Sequence, residues 1–452
     1  MSQDVVPQHR VSHWLGSLPD FRASRLQFQL DLMRAHPRIS SVRFGVFDVL
    51  VVFDPELFHE VLIEQADNFM KSYGLSLFAR PVLGDGLLTS EQELHRRQRR
   101  LMAPMFTQRQ VAAYARVMGE RAERSVNAML QAGVVDVSER AMQVTLEIVG
   151  KALFDAELAD AASEVGQCVT DAMESVMGTM TSALPLPPFV PTPHNLRLHR
   201  TIKRLDRLVY AMIRERRAQP AGRDDLMSLL LAARDEQDGS GMTDTQVRDE
   251  VMTALLAGHE TTANVLAWAL VLLADQPELR ARVERELDSV LHGGAASLSH
   301  LSQLPLTLRV LKETLRLRPS VYLLGRRALK PTRIGGYRVR KNQVVLLGVY
   351  GMHHRPDLYP DPERFDPDRF LPEREKNLPR HAFAPFGGGQ RTCIGNHFAL
   401  LEGHLLLATW LSRARFTPTA PGSVEFEPLM TLRPKGPVTM QVTARSAPAV
   451  AE

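Results

Sequence analysis

One of only two cysteines in the 452-residue chain lies near the end of the stretch Phe386-Gly387-Gly388-Gly389-Gln390-Arg391-Thr392-Cys393-Ile394-Gly395. Three consecutive glycines allow a sharp bend and a close approach to a flat object, because no Cβ intervenes. The residues from Asn396 to Leu407 read as a buried helix. Cys393 is therefore expected near a helix N-terminus, where the dipole and free N–H groups favour a thiolate. A thiolate in such a hairpin suits a soft metal at one axial position; the plainer alternative is a free cysteine packed as a small hydrophobe. A second reactive pattern is Ala257-Gly258-His259-Glu260-Thr261-Thr262, set in the middle of an apolar run. Glycine inside a helix costs about 0.5–1 kcal/mol relative to alanine, and an acid beside two threonines is a poor core choice. Small residues leave a groove over a flat group, while a carboxylate and a hydroxyl can receive and relay protons. Against this stands a locally kinked helix with Thr261 bonded back to a carbonyl one turn earlier. His259 reads as an outward polar residue.

These groups need a frame. Thr243-Asp244-Thr245-Gln246 is a capping box that opens a helix running to about Ala274, with apolar residues keeping a helical period on a broad face. Leu304 to Leu317 is a further helix, closed by Pro319, with Glu313 and Arg316 at i, i+3. Val321 to Ala328 and Tyr337 to Val349 have strand character around a Gly335-Gly336 turn. Arg326 and Arg327, being adjacent, would point to opposite faces. Upstream, Ser24 to Ala35 has helical spacing, Ile39–Phe44 and Val49–Phe53 form a hairpin, and Asp54-Pro55 opens another helix. Lys71 to Ser90 holds Gly74, Pro81, Gly84 and Gly86 without a sustained period and is expected to be a long functional loop. The segment from Glu93 to Phe106 puts His95 and Arg99 on one helix face, with Arg96, Arg97 and Arg100 on the others. Leu184 to Pro193, with five prolines, is a connector between two helices, the second running roughly from Leu196 to Arg217.

Phe386, Gly389, Arg391, Cys393 and Gly395 match every defined position of Phe-x-x-Gly-x-Arg-x-Cys-x-Gly, so the chain resembles the cytochrome P450 family. Three more of its motifs follow in the family's order. Ala257-Gly258-His259-Glu260-Thr261 resembles the element in which an acid–alcohol pair delivers protons during dioxygen activation, which assigns those roles to Glu260 and Thr261, with Ala257 and Gly258 over the cofactor. Glu313 and Arg316 resemble the buried Glu-x-x-Arg pair, joined by Arg369 of Pro367-Asp368-Arg369-Phe370; their implied role is folding and cofactor retention. The resemblance further implies haem b (iron protoporphyrin IX) on Cys393, the metal ligand, with its propionates on His95, Arg99 and one arginine of the 326–327 pair, spacing favouring Arg326.

The implied fold is mainly α with a small β region, a single triangular prism spanning residues 21–452 after a loosely ordered segment 1–20, with no fused reductase. The implied activity is a monooxygenase that inserts one oxygen atom from O2 into a lipophilic fatty acid, terpenoid, steroid or polyketide. A ferredoxin or flavodoxin-type donor with its NAD(P)H reductase would supply electrons. Alternatives are a peroxide-dependent peroxygenase, which would not need Glu260 and Thr261, and a non-enzymatic haem-based sensor. The expected substrate pocket is apolar, drawn from Tyr73, Leu75, Leu77, Phe78, Met173, Met177, Ala254, Val321, Leu323 and Met430, with the loop Pro428 to Leu432 reaching towards it; Arg80 could anchor a carboxylate.

Composition agrees with an ordinary globular chain, 44% hydrophobic and 23% charged. A net charge of +4 with 6% aromatics lacks the basic stripe and stacking platforms of a nucleic-acid binder and fits a weakly acidic protein partner. Cys168, the other thiol, reads as structural. Two cysteines far apart in sequence suggest a reducing compartment, and no apolar stretch near the N-terminus suits a signal or anchor. The expectation is a cytoplasmic monomer of the soluble bacterial type.

Overall fold

The structure, a computed structural model, describes residues 5–9, 11, 13–158, 162–180, 190–219, 225–234, 239–420 and 422–445. Helix α1 (Arg25–Ala35) starts at Ser24, whose hydroxyl accepts from the Gln27 N–H, and buries Leu26, Leu30 and Met33 as their spacing requires. Strands β1 (Ile39–Phe44) and β2 (Phe47–Val52) pair antiparallel around Gly45, at φ +60°. Then come β3 (Phe69–Lys71), α2 (Gln92–Met102), α3 (Gln108–Ala132), α4 (Val137–Phe154), α5 (Ala162–Met180) and α6 (Pro193–Ala218). Helix α7 (Asp244–Ala274) crosses the molecule; α8 (Pro305–Leu317), β4 (Leu324–Ala328), β5 (Val344–Leu347) and α9 (Asn396–Arg413) complete the frame, followed by the small hairpin β6 (Phe426–Pro428) and β7 (Leu432–Pro434).

The capping box at the start of α7 forms as its residues dictate: the Gln246 N–H donates to Thr243 Oγ1 and the Thr243 N–H to Gln246 Oε1. Its 31 residues make a rod of ~47 Å. It packs along α4 and against α6, α8 and α9, so most of its residues are buried. It is also the one described helix long and apolar enough to cross a membrane by length and composition, and here it is the core. The five-stranded sheet has the order β1-β2-β5-β4-β3, with β2 and β5 parallel. In its register Arg326 lies opposite Lys71 and Arg327 opposite Met70.

Several expectations change here. Pro7, His9 and Ser17 are tied to the sheet edge: the Ser41 N–H donates to the Pro7 carbonyl, the His9 N–H to the Ser41 carbonyl and the Ser17 N–H to the Arg43 carbonyl, with a helix at Leu18–Ala23. An otherwise unpaired edge strand supplies these partners, and local composition carries no trace of them. The 71–90 segment is partly helical, with a wide turn at Gly74–Ala79 and a short helix at Arg80–Leu83. The predicted strand 337–349 is two strands separated at Asn342, at φ +66°, and the predicted Gly335-Gly336 turn joins Ile334 to Tyr337. Most of the proline-rich connector, 184–189, lies outside the described residues.

Candidate haem-thiolate site

The loop bearing Cys393 is shaped by contacts that only glycine permits. Gly389 is at φ +67°, and a Cβ there would stand 2.1 Å from the Leu62 carbonyl oxygen. The Cys393 N–H donates to the Phe386 carbonyl at 2.9 Å, closing the turn. Phe386 packs in a small cluster with Val265 of α7 and with Leu311 and Leu315 of α8, which sets the loop beside α7. The Arg99 guanidinium donates to the Thr392 carbonyl at 2.7 Å. Cys393 is surrounded closely by protein, yet its side chain is left exposed. Burial pushes its thiol up; the Gly395 N–H and Arg99 act against this without overcoming it. The expected thiolate preference is thus outweighed by desolvation in the protein alone, and a metal at the sulfur would reverse it, because coordination deprotonates a thiol.

Across from the loop, Ala257 is exposed and Gly258 and Thr261 half-buried, in the middle of a helix otherwise closed on nearly every side. Three hydroxyls bond carbonyls of this segment: Thr261 Oγ1 to Ala257, at 2.9 Å, Thr145 Oγ1 to His259, at 3.0 Å, and Ser320 Oγ to Thr261, at 2.8 Å. Such bonds bend a helix locally. Gly258 has a different reason from the expected one. A Cβ there would meet Val149 of α4 at 3.0 Å, so its smallness serves the packing of α7 on α4, while Ala257 presents the open face. His259 is fully buried and not outward; its Nδ1 bonds the Leu255 carbonyl at 2.6 Å, and burial lowers its pKa, so it is neutral. Glu260 is 1% exposed. Its Oε1 accepts from Thr431 Oγ1 at 2.5 Å, its Oε2 has no protein partner, and burial raises its pKa.

A cleft of about 260 Å³ beside the loop is lined by His95, Arg326 and Arg391, with Phe69, Leu62 and Gln390 among its walls. Arg326 is 7% exposed and turned inwards. Arg327 turns out, over the Tyr73 ring at 4.5 Å and donating to the Tyr73 hydroxyl. One Arg391 nitrogen pairs with Glu91 and the other is buried without a partner. Burial and the surrounding Lys71, Arg391, Arg99 and Arg326 push His95 down to about 3; burial and Arg391 push Arg326 down to about 10. Lys71, Arg99, Arg326 and Arg391 crowd around His95, and the orphaned Arg391 guanidinium nitrogen marks a place where further negative charge would be favoured. The residues present therefore fit a carboxylate-bearing group in this cleft, and Cys393 would offer a soft sulfur to a metal that such a group carried. Arg99 is the exception among the predicted residues, since the described contact is to the loop backbone.

The frame motif is assembled. Arg316 donates to both carboxylate oxygens of Glu313, at 2.7 and 2.8 Å, and to the carbonyls of His353, Pro362 and Arg364. Arg369 approaches Glu313 at 3.4 Å and donates to the Asp361 carbonyl.

Sequence patterns missed several supports. Asp249 and Glu250 of α7 accept from the Asp85 and Leu87 N–H groups. Gly84, at φ +59°, allows this because a Cβ would overlap the Asp249 carboxylate. Lys71 Nζ donates to the Leu87 and Ser90 carbonyls, and Glu402, fully buried on α9, lies beside Thr262, with burial raising its pKa well above the usual carboxylate range. The only available signal was the pair of acids inside an apolar helix. Burial pushes Glu250 from 4.5 to about 7. Between those values the folded protein keeps a proton that the unfolded chain has lost, so stability falls as pH rises through the window. Glu250→Gln is expected to raise the melting temperature by a few degrees at pH 8 and to leave it unchanged at pH 4.5, as read by thermal melts at both values.

A thiol, a cationic cleft and a long helix with a buried acid beside an open face fit a haem-thiolate protein of mainly helical fold. Comparison with known proteins bears this out. A family model for cytochrome P450 matches residues 7–442, and the chain belongs to that family. It is 37% identical over 417 residues to cyclooctatin synthase of Streptomyces melanosporofaciens, covering 92% of this chain and 90% of the relative. It is 35% identical to cyclooctat-9-en-7-ol 5-monooxygenase of the same organism, over 92% and 90%. Pentalenene oxygenase of Streptomyces avermitilis is 33% identical, over 92% of each chain. The protein is a cytochrome P450 monooxygenase that uses thiolate-ligated haem b to insert an oxygen atom from O2 into a lipophilic small molecule.

Proposed function

We propose that the substrate is a cyclic terpenoid hydrocarbon or alcohol. The relatives' names carry pentalenene and cyclooctat-9-en-7-ol. Leu75, Phe78, Met173, Ala254 and Met430 belong to or pack on one apolar cluster, which suits such a molecule. Two expected lining residues face elsewhere: Tyr73 lies under Arg327, and Leu77 is 52% exposed. Arg80 pairs with Asp85 at 2.7 Å on the surface, so it does not offer a carboxylate anchor, which weighs against a fatty acid.

Cys393 would hold the iron; His95, Arg326 and Arg391 would bind the propionates, and Arg99 would brace the loop through Thr392. Ala257 would form the close face. Haem, when bound, supplies the dioxygen chemistry, with sulfur donation promoting O–O cleavage. Glu260 would hold a proton on its unpartnered oxygen, and Thr261, with its hydroxyl one helical turn from Ala257, would pass it to the cleft. The exposed Arg96 and Arg100 of α2 fit an acidic ferredoxin or flavodoxin-type donor served by an NAD(P)H reductase. A reducing, cytoplasmic setting is in keeping with two widely separated, unbridged thiols.

The observation that carries the reading is the thiol and the Ala257–Thr261 face left open inside a core closed elsewhere. The protein is tested with pentalenene-type cyclic alkenes, NADPH, ferredoxin and its reductase. Product containing one atom of labelled O2 is expected, and Thr261→Ala is expected to lower product formed per NADPH by about ten- to a hundredfold. Turnover with peroxide alone would favour the peroxygenase, and no turnover over a broad panel would favour the sensor.

A further inference from the structure

Glu260 is held from outside its own helix. The turn between β6 and β7 brings Thr431, 6% exposed, against α7. The Asn264 amide donates to Thr431 Oγ1 at 3.3 Å, and Thr431 donates to Glu260 Oε1. A hydroxyl has a single proton to give. With Asn264 donating into it, that proton is directed to Oε1, which must then act as acceptor. Any proton carried by the acid is left to Oε2, the oxygen without a protein partner. The turn itself is fixed: the Trp268 Nε1–H donates to the Leu432 carbonyl at 3.2 Å, and Arg433 bonds Glu427 of β6 and Glu174 of α5.

We propose that Thr431 is a positioning residue that orients the Glu260 carboxyl and selects the oxygen from which its proton leaves. This rests on the proton-handling role given above to Glu260 and extends it to a residue outside the acid's own helix, 171 positions away in sequence. Because Met430 adjoins Thr431, one turn of chain carries both a pocket side chain and the partner of the acid.

The test compares Thr431→Val, which keeps shape and removes the hydroxyl, with Thr431→Ser, which keeps the hydroxyl. The buried carboxyl vibration of Glu260 is read by infrared spectroscopy on the resting protein, with Glu260→Gln identifying the band. Thr431→Val is expected to shift the band and to lower kcat about tenfold with KM unchanged; Thr431→Ser is expected to restore both. A band unmoved in Thr431→Val, or a rise in KM with kcat intact, would overturn the proposal. Should Glu260→Gln turn over like the parent, the role given to Glu260 falls and the proposal with it, an outcome recognised separately because the band reports the contact without turnover.

Discussion

Cys393→Ser is expected to give a folded protein that has lost the long-wavelength carbon-monoxide band of thiolate-ligated haem, and with it all turnover above background. The turn should survive. The Cys393 N–H keeps its bond to Phe386, Phe386 stays packed against α7 and α8, and a hydroxyl can accept from Gly395 as the sulfur does. The cationic cleft is also untouched, so the pigment can remain bound while its axial ligand changes. The loss in turnover should exceed that of any other single substitution at the site, because sulfur donation is the protein's main electronic lever on the iron. A variant whose carbon-monoxide spectrum matched the parent would remove Cys393 as the ligand.

Glu313→Ala is expected to be the most damaging change to stability, on the order of 3–5 kcal/mol. Glu313 and Arg316 are both 0% exposed. The Arg316 guanidinium, stacked 5.1 Å from the Tyr359 ring, is tolerated there because its N–H groups are spent on Glu313 and on three carbonyls of the segment 353–364. Without the carboxylate a buried cation is left uncompensated, and the Asp366 N–H loses its acceptor as well. Arg316→Ala should cost a similar amount by orphaning the acid. Arg369→Ala should cost less, on the order of 1–3 kcal/mol, since its closest approach to Glu313 is only 3.4 Å. Denaturant titration, with haem content measured alongside, would rank the three. Equal stability of Glu313→Ala and Arg369→Ala would contradict the account.

What could be read from the chain alone were patterns whose cause is local. The Thr243–Gln246 cap, the Glu313–Arg316 spacing and the glycine turn before Cys393 each dictate a short-range geometry, and each forms as expected. The alternative raised for Thr261, a bond back to a carbonyl one turn earlier, also forms, and it does not compete with the motif. What stayed hidden was set by partners distant in sequence. His259 is buried because α7 is enclosed, Gly258 is small because Val149 lies against it, and Arg80 turns outwards because Asp85 captures it. The Thr431 contact spans 171 positions and leaves no periodic mark at either end.

The pleat of β4 makes Arg326 and Arg327 unequal, although they are neighbours of identical chemistry. Deleting one residue between Pro319 and Leu323, if the strand then slipped by one residue against its neighbours, would exchange the two: the inner guanidinium would go to solvent and the outer one would be driven inside. Net charge and amino-acid content would hardly alter, yet the interior would confront a side chain now stacked on Tyr73. Length variation should therefore be tolerated poorly at this joint, and better at the Lys341-Asn342 turn beyond it, where an insertion changes no facing.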